Sequence, residues 1–265
     1  MRTVRTVAAV REALRQHGGR VGLVPTMGAF HKGHLALMQA AREACDVVVV
    51  SLFVNPSQFN AAEDLARYPR DEAADALKAE TAGADLLFAP SAEELYPEGF
   101  DTWVEPGELA TVLEGAARPG HFRAVATVCT KLFSIVQPDL AYFGRKDAQQ
   151  VAVIRRVVAD LNIPLEIVVV QTVRDPDGLA LSSRSVFLSS AEHAVALALP
   201  RALETGAAAH RSGGDPVAAA RSVLVAERGL TVDYVAVVEL DGPSLCAAIR
   251  VGGTRLIDNV RLEAG

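Results

Sequence analysis

Val21-Gly22-Leu23-Val24, running into Pro25-Thr26-Met27-Gly28-Ala29-Phe30-His31-Lys32-Gly33-His34, is the stretch on which the fold turns. A short apolar run stops at a proline, a loop with two glycines follows, and helical periodicity begins at His34 and lasts to Ala44. The same kind of run recurs at Val47 to Val54, Asp85 to Ala89, Leu140 to Phe143 and Ile167 to Val173. Continuous rather than alternating apolarity marks strands buried on both faces. Helical periodicity separates them at Asp71 to Ala82, Val125 to Val136 and Ala148 to Leu161. Strand-helix-strand alternation with such crossovers predicts an α/β fold, a Rossmann-like doubly wound parallel sheet. Beyond it, Ser189 to Arg211 and Asp215 to Glu227 read as helices separated by Gly213-Gly214-Asp215-Pro216. Tyr234 to Leu240 and Arg255 to Val260 read as strands. The expected division is therefore residues 1–173 for the sheet domain and 174–265 for a second, smaller α+β C-terminal domain.

Bulk properties narrow the function. A chain of 265 residues can bury a substantial core, and 50% apolar content with no low-complexity segment excludes disordered and fibrous classes. Net charge is −6 and the lysines and arginines form no run, so no nucleic-acid partner is expected. Cys45, Cys129 and Cys246 stand far apart with no Cys-x-x-Cys pair, which argues for buried thiols in a reducing compartment rather than disulfides or zinc. Val4, Val7, Val10 and Leu14 are interleaved with polar residues, so no secretory apolar core is read there, and no run is long enough for a membrane span. A cytoplasmic protein without a membrane partner is expected.

In a doubly wound sheet, ligands bind where loops leave the carboxyl ends of the strands. His31 and His34, three apart at a helix start, share a face, while Gly28 and Gly33 permit close backbone approach. Free N–H groups and the positive end of the helix dipole make this a phosphate-binding arrangement, with two ordinary capping histidines as the lesser alternative. Leu181-Ser182-Ser183-Arg184 offers two hydroxyls and a guanidinium fork for phosphate oxygens, although such a triplet usually caps a helix. Gly144-Arg145-Lys146-Asp147 brings a lysine for phosphate and an aspartate for ribose, or is a solvated turn. Asn55-Pro56-Ser57-Gln58-Phe59 and Gln149-Gln150 supply amides, which suit a carboxylate or hydroxyl substrate.

Together these elements resemble the pantothenate synthetase (pantoate–β-alanine ligase) family of the His-x-Gly-His nucleotidyltransferase superfamily. The resemblance runs from about Val21 to Leu188. It takes in Val24-Pro25-Thr26-Met27-Gly28, His31-Lys32-Gly33-His34, Phe53-Val54-Asn55-Pro56-Ser57-Gln58-Phe59, Glu63-Asp64-Leu65, Tyr68-Pro69-Arg70 and Arg118-Pro119-Gly120-His121-Phe122. Leu113-Glu114-Gly115, Tyr142-Phe143-Gly144-Arg145-Lys146-Asp147, Gln149-Gln150, Thr172-Val173-Arg174, Asp177-Gly178-Leu179 and Ser182-Ser183-Arg184 complete the ordered set. His-x-Gly-His by itself indicates only the superfamily.

The resemblance implies a ligase that activates pantoate with ATP as an enzyme-bound pantoyl adenylate and then passes it to β-alanine, with Mg2+ on the phosphates. It implies catalytic roles for His34, the proton donor, and for His31, Lys146 and Arg184. ATP is expected along Met27, Gly28, Ala29, Phe30, His31, Lys32, Gly33 and His34. Its remaining contacts are expected from Gly144, Arg145, Lys146 and Asp147, with Val173 and Leu181 at the adenine and Ser182, Ser183 and Arg184 at the phosphates. Gln58 and Gln150 are expected at pantoate, Asn55 and Gln58 at β-alanine, and Asp75 near the metal. The resemblance also implies a homodimer and a C-terminal domain acting as a partial lid that keeps water from the adenylate. Glu114 and Arg118 belong to a loop near the site, as a structural ion pair or in catalysis.

Arg145 stands where the family usually has an acidic or amide residue, and either adds a cation beside the phosphates or faces solvent. Whether His34 is charged is open at this level, because a neutral imidazole N–H also donates. Another nucleotidyltransferase of the superfamily, acting on a phosphorylated substrate, would need more cations than Asn55, Gln58 and Gln150 supply. A non-enzymatic nucleotide-binding module would be expected to lack His34, Lys146 or the Ser182-Ser183-Arg184 clamp, and all are present.

Overall fold

Six short strands, largely apolar on both faces except at the first, an edge strand, build the main sheet: β1 (Arg2–Val4), β2 (Val21–Thr26), β3 (Val47–Leu52), β4 (Leu86–Phe88), β5 (Leu140–Gly144) and β6 (Glu166–Val170). The protein is seen in a computed structural model that describes residues 1–59 and 62–263, the side chains of residues 62–64 excepted. The Glu63-Asp64 part of the family motif therefore lies outside the described side chains. Strand order is β1-β4-β3-β2-β5-β6, with every neighbouring pair parallel. Order thus reverses at β2, with β3 and β4 to one side and β5 and β6 to the other. The loops leaving β2 and β5 open at this switch point, where a parallel sheet leaves a crevice for ligands.

Alternation along each strand feeds two cores. Leu23, Val49, Phe88 and Phe143 pack with Val125, Leu132 and Phe133 of the helix His121–Val136. Val24, Val48, Val50 and Tyr142 pack with Met38 and Ala41 of the helix Lys32–Ala44 and Ala79 of the helix Glu72–Thr81. Each large side chain so buried contributes roughly 1.5–3 kcal/mol relative to exposure. β1 was not anticipated, because Arg2-Thr3-Val4 carries no apolar run. It joins as an edge strand through its backbone, with Arg2 N–H donating to Asp85 O at 2.9 Å and Ala89 N–H to Val4 O at 2.9 Å.

The chain forms two compact units. The first comprises Met1–Arg145 with Gln149–Val170, and the second comprises Lys146–Ala148 with the described residues from Gln171 onward. The second unit has an antiparallel sheet of β7 (Leu230–Glu239), β8 (Pro243–Val251) and β9 (Thr254–Arg261), and its core includes Leu199, Leu203, Leu224 and Ile249. Two expectations need correction here. β8 was not read as a strand because Ser244-Leu245-Cys246-Ala247-Ala248 is poor in β-branched residues, yet those five side chains are buried and small enough to lie under helices. The single helix expected at Ser189 to Arg211 is two, Ser190–Ala196 and Ala198–Arg211. Pro200 has no N–H to return to the Ala196 carbonyl, so it occupies the first turn of a new helix.

Cys129 is enclosed in the first unit's core, and burial pushes its thiol up to about 12. The thiolate needed for reaction is then absent at neutral pH. Native protein at pH 8 should leave Cys129 unlabelled by a disulfide reagent, while protein unfolded in guanidinium should label it fully; rapid native labelling would contradict the packing. Because the folded value lies above the ordinary thiol value of 9.0, this group leaves stability unchanged below pH 9 and lowers it as pH rises from there toward 12.

Candidate active site

The loop after β2 is shaped by its hydrogen bonds. Thr26 Oγ1 donates to Ser51 O at 2.6 Å, and Thr26 N–H donates to Ser51 Oγ at 3.2 Å, pinning the end of β2 to β3. Gly28 (φ 87°) and Ala29 (φ 55°) are consecutive left-handed residues. A side chain at Gly28 would place Cβ 2.7 Å from Leu52 Cδ1, so only glycine fits. This turn aims two peptide N–H groups at one carboxylate. Ala29 N–H reaches Asp75 Oδ2 at 2.7 Å and Phe30 N–H reaches Oδ1 at 2.8 Å. Lys78, one turn further along the same helix, donates to Phe30 O at 2.9 Å.

Asp75 is only 2% exposed, and both of its oxygens serve the loop. Expected near the metal, it serves here as the anchor of this loop; among the described residues no cluster of three His, Cys, Asp or Glu side chains could hold an ion. Phe30, expected at ATP, has its ring in the core and both peptide groups committed to Asp75 and Lys78. The signal for Asp75 was present in the sequence, since it shares the inward face of its helix with Ala79 at i+4.

His31 caps the helix Lys32–Ala44. Its Nδ1 accepts from Gly33 N–H at 3.1 Å, and His34 Nδ1 accepts from His31 N–H at 3.3 Å, a capping box built from two imidazoles. The rings lie 4.2 Å apart between centroids. A Cβ on Gly33 would come within 2.9 Å of His31 Cε1, which is why glycine separates the pair. A ring nitrogen that accepts carries no proton, so both imidazoles are assigned the neutral form with hydrogen on Nε2. Lys32 is exposed at the first turn of the same helix.

At the end of β3, Asn55 caps a turn at Pro56–Gln58. Its Oδ1 accepts from Ser57 N–H at 3.2 Å and Ser57 Oγ at 2.8 Å, while Nδ2 is buried with no partner among the described residues. Gln58 is held by its backbone, whose carbonyl accepts from Arg118 Nη2 at 3.1 Å. Arg118 thus has a positioning task behind Gln58 that sequence reasoning left open. The adjacent glutamines after β5 divide. Gln149 is buried, accepting from Glu114 N–H at 3.1 Å and donating to Leu109 O and Val112 O at 2.8 Å each, so it ties down the Glu114 loop. Gln150 makes no side-chain hydrogen bond among the described residues, nor does Gln58. Arg145 is 8% exposed and engaged within the protein, so it does not face solvent. Gly144 ends β5 with open space on its Cα.

In the second unit, Leu181 N–H donates to Val173 O at 3.0 Å, which brings the two expected adenine neighbours together across a hairpin. Ser182 Oγ accepts from Arg184 N–H at 3.2 Å, shaping the turn of the clamp. Ser183 and Arg184 are half-buried, and Arg184 has no ion pair among the described residues. Lys146 lies 3.8 Å from Asp147 Oδ1, a loose contact that leaves the ammonium able to take a stronger anion.

This geometry accords with what similar proteins are. A family model described as pantoate-beta-alanine ligase matches residues 1–261. The chain belongs to the pantoate-β-alanine ligase family. Pantothenate synthetase 1 of Bradyrhizobium diazoefficiens is 53% identical over 281 residues, spanning 99% of each chain. A pantothenate synthetase crystal structure from Thermus thermophilus is 48% identical, with 99% of each chain covered and a TM-score of 0.94. The pantoate-β-alanine ligase of Francisella tularensis, solved in complex with βγ-ATP and β-alanine, is 34% identical, covers 100% of this chain and 99% of its own, and has a TM-score of 0.87.

In this ligase, replacing Asp75 by alanine strips two buried N–H groups of their acceptor. Asp75→Ala should lower the free energy of unfolding by about 2–4 kcal/mol in urea titrations and weaken ATP binding with it. Unchanged stability with a loss confined to magnesium dependence would instead assign the carboxylate to a metal.

Proposed function

We propose that the chain condenses (R)-pantoate with β-alanine, using ATP and releasing AMP and pyrophosphate, through an enzyme-bound pantoyl adenylate. The observation that carries this reading is the pair of imidazoles capping a helix N-terminus at the switch point of the sheet. Pantoate's carboxylate oxygen attacks the α-phosphorus as the bond to pyrophosphate breaks. The amine of β-alanine then attacks the activated carbonyl carbon, AMP departs with the former carboxylate oxygen, and the amine gives up a proton. AMP is the better leaving group, since an oxide cannot leave.

His34 and His31 donate Nε2–H to phosphate oxygens where negative charge grows, and the helix dipole acts in the same sense. Neutral imidazoles hold phosphate without a full positive charge, so charge balance falls to Lys146 and Arg184, with Ser182 and Ser183 adding hydrogen bonds. Gln58 and Gln150, whose amides have no protein partner among the described residues, take pantoate. Asn55 offers β-alanine only a donor, because its Oδ1 is spent on Ser57. The chain's carboxylates form no cage for Mg2+ among the described residues, which suits an ion that arrives on the ATP phosphates and there neutralises charge. We place the enzyme in the cytoplasm as a homodimer. Its three buried free cysteines suit a reducing compartment, and sedimentation should return twice the chain mass.

The direct test is pantoate-dependent exchange of labelled pyrophosphate into ATP. Wild-type protein should exchange, and His34→Ala should reduce the rate by about 10²-fold or more. No exchange in the wild type would overturn adenylation. Exchange without pantothenate on adding β-alanine would instead make the chain a nucleotidyltransferase of another substrate.

A further inference from the structure

β9 carries two neighbouring polar residues where a sheet interior usually carries apolar ones. Asp258 is 2% and Asn259 6% exposed. Asp258 receives the Arg174 guanidinium in a two-pronged ion pair, Nη1 to Oδ2 at 2.6 Å and Nη2 to Oδ1 at 3.0 Å, and Oδ1 also accepts Asn259 N–H at 2.8 Å. Arg174 Nη1 donates in addition to Gly178 O at 3.1 Å. That contact lies inside the hairpin closed by the Arg174–Ala180 bridge and the Leu181-to-Val173 hydrogen bond, and the hairpin leads directly into Ser182-Ser183-Arg184. Beside it, Asn259 Nδ2 donates to Lys146 O at 2.9 Å. Adjacent side chains of one strand therefore grip two segments far apart in sequence, each bearing a cation aimed at phosphate in the reading above.

Stability alone does not account for this choice. Burying the Asp258 carboxylate costs several kcal/mol, and a packed apolar side chain commonly serves a core as well or better. What the polar pair adds is geometry: a planar fork and a carboxamide each fix a backbone segment in direction as well as distance. We propose that Asp258 and Asn259 are positioning residues for nucleotide activation. Asn259 sets Lys146 through its carbonyl, and Asp258 sets the Ser182–Arg184 clamp through Arg174. Neither touches substrate. The proposal rests on Lys146 and Arg184 being the ATP-directed cations.

The test separates the two half-reactions. Asn259→Asp keeps the side-chain shape but replaces the donor with an acceptor facing Lys146 O. It should raise the KM for ATP and slow pyrophosphate exchange about 10- to 100-fold. The conversion of preformed pantoyl adenylate and β-alanine to pantothenate should stay within about twofold. In a Lys146→Ala background, Asn259→Asp should add no further loss of ATP affinity by calorimetry, because its effect passes through that lysine. Arg174→Lys, a milder change that keeps the charge but loses the fork, should show the same split and covers the case that Asn259→Asp folds poorly. Equal losses in both half-reactions, or additive losses with Lys146→Ala, would overturn the proposal. Wild-type protein without pantoate-dependent exchange would instead overturn the functional reading beneath it.

Discussion

The paired hydrogen bonds from Ala29 and Phe30 N–H to the two oxygens of Asp75 are the constraint on which the site depends. Gly28 and Ala29 both sit in the left-handed region, which for a non-glycine residue costs of order 1 kcal/mol or more. Charge-assisted bonds to a buried carboxylate offset that cost and give the loop one shape. An anion is thus already present where the loop's N–H groups converge, supplied by the protein itself. In the proposed reading the incoming phosphate is left to the next set of N–H groups along the chain, those at the start of the helix Lys32–Ala44.

At that helix start, one arrangement serves two purposes. Helix N-termini leave donors unsatisfied, and here His31 Nδ1 and His34 Nδ1 accept two of them. The same contacts place hydrogen on Nε2, so the rings that cap the helix also become uncharged donors. An acidic chain can then hold a polyanion with few cations, provided those cations are well placed. In the proposed reading Lys146 and Arg184 fill that part, and Asn259 and Asp258 of β9 hold the two segments that carry them.

Much of this was legible from residues alone. Val21 to Val24 and Val47 to Val54 announce a parallel sheet because strands covered on both faces have no polar side to show. Gly28 and Gly33 announce close backbone approach because they carry no Cβ, and the two histidines beside them suggest an anion only together with the distant Ser-Ser-Arg and lysine segments. What stayed hidden depends on partners that only the tertiary fold supplies. Gln149 and Gln150 look alike in sequence, yet adjacent helix positions point in different directions, and one closes a loop while the other keeps its amide unspent. Arg145 reads either as a cation beside the phosphates or as a solvent-facing one, and the fold, by burying it, rules out the second. Asp75 is expected near the metal by resemblance, and only the loop folded against it shows that both its oxygens also hold backbone N–H groups. β8 escaped notice because alanines signal burial under a helix as readily as helix itself.

The central claim is that the two capping imidazoles are neutral donors through Nε2. Nitrogen-15 correlation spectra of the histidine side chains, with His31 and His34 assigned by substitution, test it most directly. The account predicts that both rings at neutral pH show a bare Nδ1 and a protonated Nε2, and that pH moves them together. A proton on Nδ1 of either ring, or a fully protonated imidazolium at neutral pH, would contradict it.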